Sequence, residues 1–128
     1  MPLATTAGIL TIIAMGYLTY LGASAGPPDA VNIKVPDNVK LQGAKAVQTF
    51  QSGQQVVAQS GCGACHKFGD NGNGGPGPEL TAIGARLPSA AIARTLINPP
   101  SPMPSFKGLQ QSNPQQFNEM VQFLSALK

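Results

Sequence analysis

Cys62-Gly63-Ala64-Cys65-His66 holds both cysteines of the chain and its one histidine, and its reading decides what the rest must build. Two thiols three positions apart on one local turn can reach two vinyl groups on one edge of a porphyrin. The residue that follows then aims an imidazole at the iron. The spacing predicts one covalent haem c, joined through Cys62 and Cys65, with His66 as an iron ligand. A zinc centre needs four ligands, and this segment offers three with no other Cys or His in the chain. A thioredoxin-type dithiol belongs in a βαβ setting, and no parallel-strand pattern surrounds the motif. A disulfide across so short a loop would add little stability.

A single histidine also rules out bis-histidine ligation within the chain. The second axial position therefore falls to Met, to another weak ligand, or to nothing. Met1 and Met15 belong to the N-terminal segment. Met103 lies in Asn98-Pro99-Pro100-Ser101-Pro102-Met103-Pro104-Ser105-Phe106. Its flanking prolines hold the backbone extended, which suits a thioether fixed across a haem. Met120, on the apolar face of the last helix, is the alternative, and core packing is its plainer role.

The rest of the composition fits a small domain built round a cofactor. Among 128 residues there are 15 Gly, 12 Pro, no Trp and 5% aromatics, so loops are many and apolar bulk is short. Eight Lys and Arg face five Asp and Glu, a net charge of +3 without like-charged runs. That pattern gives no nucleic-acid surface. No Ser/His/Asp set or paired carboxylates are present to act on a small-molecule substrate. Asp70-Asn71-Gly72-Asn73-Gly74-Gly75 has glycines where a calcium loop needs ligands, so it reads as a flexible turn. The same glycines form no phosphate loop, because no Gly-Lys-Ser/Thr follows.

The two ends of the chain differ. Met1 to Pro28 carries no charged side chain. Leu3–Leu21 would be roughly 28 Å long as a helix, close to a bilayer's hydrocarbon thickness. Residues 1–25 are accordingly expected to form a transmembrane anchor, with Tyr17 and Tyr20 near one interface. A signal peptide cut near Ala23-Ser24-Ala25 is the competing reading, though a basic n-region is lacking. Residues 26–46, with Pro27, Pro28 and Pro36, read as an extended linker, and Val31, Ile33 and Val35 alternate like a short strand without a partner. Residues 47–128 read as an all-α domain. Helices are predicted over 47–60, 80–87 and 89–97, and from Pro114 to the end, with irregular stretches at 67–78 and 98–113.

From Gly53 to Lys128 the sequence resembles the class I c-type cytochromes. Gly53, Val57, Gly61 and the Cys62–His66 motif are similar to that family's first helix and haem turn. Gly77-Pro78-Glu79-Leu80 resembles its Gly-Pro-x-Leu, and Phe123–Lys128 its closing aromatic-Leu-x-x-Leu-Lys. The resemblance implies that the Pro78 carbonyl accepts a hydrogen bond from the His66 ring, that Leu80 packs on the haem, and that Arg86 lies near a propionate. It also implies a last helix crossing the first near Gly53, and a haem domain on the outer face of the bacterial cytoplasmic membrane. The expected function is then a membrane-anchored single-electron carrier and not an enzyme. It would work among other membrane electron-transfer subunits, between a quinol-oxidising complex or photosynthetic reaction centre and a terminal acceptor. A haem subunit of a dehydrogenase, or a gas sensor with a displaceable Met103, are the alternatives.

Overall fold

The computed structural model describes residues 11–17 and 31–128. Its regular elements from residue 31 onward are all helical. They are α1 (Asp37–Lys40), α2 (Ala44–Gln59), a 3-10 turn (Cys62–Ala64), α3 (Ile83–Arg86), α4 (Ser89–Ile97), α5 (Lys107–Ser112) and α6 (Pro114–Ala126).

The long helices α2 and α6 form the central pair. Gly53 is the reason they can approach so closely, since a Cβ there would overlap the Glu119 carbonyl oxygen and the Phe123 Cβ. Round this crossing pack Phe50, Val57, Met120 and Phe123, all almost fully buried. The Phe50 and Phe123 rings meet at 4.8 Å, tilted by 50°, and Phe68 joins Phe123 at 6.4 Å. Tilted contacts of this kind set the positive ring edge against a negative face. Ile92 and Leu96 of α4 complete the core. The end of α6 is tied to α3 by a Gly84 N–H to Leu127 carbonyl bond of 2.8 Å.

Local chemistry sets the ends of the two main helices. Ser60 still donates to the Val56 carbonyl, and Gly61 then turns left-handed at φ 71°, releasing the chain from α2 into the cysteine motif. At α6, Pro114 takes the first position, where a missing N–H costs nothing, and the Asn113 side chain accepts from the Gln116 N–H.

Three expectations are corrected. Of the predicted anchor the described residues are 11–17, a helix with a rise of about 10 Å against a hydrocarbon core of about 30 Å. Among the described residues no helix is long and apolar enough to cross a membrane. This overturns the transmembrane helix over Leu3–Leu21, and with it the single-pass placement in the bacterial cytoplasmic membrane. Thr11 and Gly16 within this helix dilute its apolar character. The rest of the predicted anchor, residues 1–10 and 18–25, lies outside the described residues.

The second correction concerns the predicted linker, which is not extended throughout. From residue 31 it is a strap on the core, with Val31 and Val39 only 2% and 4% exposed and Ile33 and Val35 packed against the same cluster. Asn71 Nδ2 donates to the Asn32 carbonyl at 3.2 Å, so residues 31–36 lie flat without forming a strand. Burial of the valines against α2 and its neighbours outweighs the short, proline-broken local pattern. Third, the stretch 98–113 is not wholly irregular, because α5 occupies its second half.

Candidate functional site

The cysteine motif leaves α2 through Gly61 and closes on itself. The Cys65 and His66 N–H groups both donate to the Cys62 carbonyl, at 3.2 and 3.0 Å. One turn therefore gathers two thiols and an imidazole. His66 is 8% exposed, the only buried polar or charged side chain among the described residues. Its Nδ1 donates to the Pro78 carbonyl oxygen at 2.7 Å, which leaves the Nε2 lone pair free to bind a metal. Burial pushes the Cys62 thiol up to about 11. At neutral pH it stays protonated, unlike the low-pKa thiolate of a dithiol oxidoreductase.

The glycine-rich loop after the motif is a clamp on this turn. Asn73 N–H donates to the Gly63 carbonyl at 2.7 Å, and Gly77 N–H to the Cys65 carbonyl at 3.0 Å. Gly72 has φ 79°, and a Cβ there would overlap the His66 carbonyl oxygen. At Gly77 a Cβ would run into the His66 ring itself. Reading Asp70–Gly75 as a flexible turn missed this packing. The signal was present in the repeated glycines directly after the motif, at positions where backbone must touch backbone.

Across from the turn stands the proline segment. Cys62, Cys65, His66, Pro78 and Met103 all line one open cleft of about 660 Å³, together with Ser60, Gly61, Pro76, Gly77, Pro100, Ser101, Pro102, Pro104 and Phe106. Met103 is tied by its N–H to the Pro100 carbonyl at 3.0 Å. The segment hangs from the end of α4 through Phe106 N–H to the Leu96 carbonyl and Ser105 Oγ to the Ile97 carbonyl, at 2.8 and 2.6 Å. Met120, the alternative sulfur, is 0% exposed in the core and does not line the cleft.

Two sequence-predicted residues lie apart. Leu80 is partly buried against the core cluster and does not line the cleft. Arg86 is exposed, lies off the lining, and donates through Nη2 to the Glu79 carbonyl at 2.5 Å. Sequence reasoning did not single out Pro76, Pro100 and Phe106 as site residues, although they fall in the two irregular stretches that meet at the cleft.

These residues fit a haem. The walls of the cleft are largely apolar, built of prolines, glycines, Met103 and Phe106. Two thiols open onto it, one of them, Cys65, exposed at its edge. A buried imidazole with its orientation fixed and one nitrogen free stands on the wall shared with the thiols. Among the described residues no three of His, Cys, Asp and Glu gather as a metal cluster, so thiols and imidazole do not converge on one ion. That division suits a group bound covalently at its edge and ligated at its centre.

Searches of the curated proteins and of the solved structures returned no match. Residues 48–124 match the family model described as cytochrome c oxidase, cbb3-type, subunit III. The match runs from α2 through the cysteine turn and the cleft to α6, which is to say through everything that shapes the site. The chain is a c-type cytochrome carrying a covalent haem c, and it belongs to the family of cbb3-type cytochrome c oxidase subunit III.

Proposed function

We propose that this cytochrome is a single-electron relay, with His66 and Met103 as its two axial ligands, serving a multi-subunit oxidase. One observation carries the reading: His66 and Met103 line the same cleft as both thiols, while Met120 lies buried in the core. When bound, the haem supplies a one-electron Fe(III)/Fe(II) couple. The chain's own residues do the rest. Cys62 and Cys65 hold the group permanently. The Pro78 carbonyl orients the imidazole and makes it a stronger donor. Met103 presents a soft, neutral sulfur that favours the reduced metal and raises the potential. The prolines and Phe106 give the cleft apolar walls.

No acid, base or nucleophile lines the cleft besides the groups committed to the haem. With His66 and Met103 both holding the iron, neither face of the group would be left to take up a substrate, which supports a carrier over an enzyme. The oxidase assignment rests on the family's description, and the electrons are expected to leave toward a terminal oxidase.

The test has two parts. An alkaline pyridine spectrum of the denatured, thiol-treated polypeptide should retain one covalent haem per chain. The native protein should titrate as one reversible one-electron couple at positive potential, and the reduced form should give no carbon monoxide difference spectrum. A strong carbon monoxide signal under native conditions would mean that the Met103 side is open, and would favour gas binding.

A further inference from the structure

The Pro78 carbonyl that orients His66 lies in an irregular segment, residues 78–80, between the glycine loop and α3. No helix or sheet ladder holds it, so its direction must be fixed by other means. Proline locks its own φ, which leaves the ψ of Pro78 and the peptide planes that follow. The plane joining Glu79 to Leu80 is tied at both ends. Its N–H donates to the Lys67 carbonyl at 2.8 Å, and its carbonyl accepts from Arg86 Nη2 at 2.5 Å. Lys67 directly follows His66 in sequence. A second tie runs beside the first: Gly69 N–H donates to Thr81 Oγ1 at 2.7 Å, and Thr81 Oγ1 donates to Glu79 Oε1 at 2.5 Å.

Arg86 acts from a fixed base. It closes α3, whose Gly84 N–H bonds the Leu127 carbonyl and whose Gly84 backbone lies so near the Ser125 carbonyl that no Cβ would fit between. A bond from guanidinium to carbonyl is charge-assisted, and it polarises the peptide plane it caps, so the Leu80 N–H becomes a stronger donor to Lys67. We propose that Arg86 is a positioning residue for His66. It holds the Glu79–Leu80 plane from the end of α3 and thereby fixes the Pro78 carbonyl against the imidazole. The inference rests on the reading of His66 as an axial ligand, and it gives Arg86 a role that needs no contact with the haem.

The His66 ring N–H of the reduced, full-length holoprotein reports directly on its bond to Pro78. Its exchange with solvent, followed by NMR, should quicken by about tenfold in Arg86→Ala, the scale of one charge-assisted bond lost at an exposed site. Arg86→Lys can still donate and should recover most of the protection. Thr81→Val keeps the side chain's shape but removes both hydroxyl bonds, and should quicken exchange by about threefold. Backbone amides of Val57 and Phe123 in the core should exchange as in wild type in all three variants. Ring and core protons that quicken together overturn the proposal, since Arg86 would then serve stability alone. So does an unchanged ring exchange in Arg86→Ala with a new pH-dependent step in the midpoint potential, the sign of an Arg86 that neutralises an acidic group of the haem. Failure of the ligand reading is seen separately: without large upfield ring-current shifts at the carbon-bound protons of His66, that reading falls and the proposal with it.

Discussion

The two walls of the cleft are held by opposite means. On the His66 side, backbone grips backbone: the turn closes on the Cys62 carbonyl, and the glycine loop adds bonds to Gly63 and Cys65. Glycines there do what no other residue could, letting main chain lie against main chain and against the imidazole. The Met103 side has few such bonds. Prolines at 99, 100, 102 and 104 stiffen the chain from within, so the ordering entropy was largely removed before folding. The first wall is specified by contacts and should be brittle to any added atom. The second is specified by local stiffness and should tolerate change while altering chemistry.

Four substitutions, one on each wall and two in the core that carries them, are ranked by expected loss of stability. Gly77→Val puts branched carbons where the His66 ring and the Cys65 carbonyl already lie. It should cost more than about 4 kcal/mol, read as failure to accumulate protein with covalent haem. Gly53→Ala forces α2 from α6 at the Glu119 carbonyl and should cost about 2–3 kcal/mol, lowering Tm by on the order of 10–20 °C in a domain of this size. Val39→Ala removes two buried methyls from the strap and should cost about 1.5–2.5 kcal/mol. An unchanged melting curve there would return 31–46 to the status of a loose tether.

Met103→Ala should change stability least, by about 1 kcal/mol, since Met103 is only partly buried. It should nonetheless lower the midpoint potential by on the order of 0.1–0.3 V, within the roughly 0.8 V range set by axial ligands, and admit carbon monoxide to the reduced iron. If Met120→Ala shifts the potential and Met103→Ala does not, the ligand assignment fails.

Much of this contrast was legible in the sequence. The cysteine motif, the single histidine and the caged Met103 are local patterns, and local patterns survive folding. The helix predicted over 47–60 lies within a residue or so of α2 at its C-terminal end, because Gly61 is a stop that any context would honour. Pro114 marked the start of α6 for the same kind of reason. What escaped was tertiary. The Val31–Val39 strap looks like a linker until α2 and its neighbours are in place to bury it. Lys107–Ser112 is a short polar segment with one apolar residue facing partly inward, Leu109, so periodicity had nothing to register. Glycines at 72 and 77 read as freedom when they are in fact close approach. The N-terminal segment erred the other way: its apolar, charge-free composition predicted a membrane span, and the described helix covers only residues 11–17.

The bond from Asn71 to the Asn32 carbonyl joins the strap to the loop that grips the haem turn. Its consequence is mechanical. Displacing the strap at Asn32 would load Asn71 and, two residues on, the Asn73–Gly63 bond that holds the cysteine turn. Two hydrogen bonds thus couple the first described segment of the domain to the turn that carries His66.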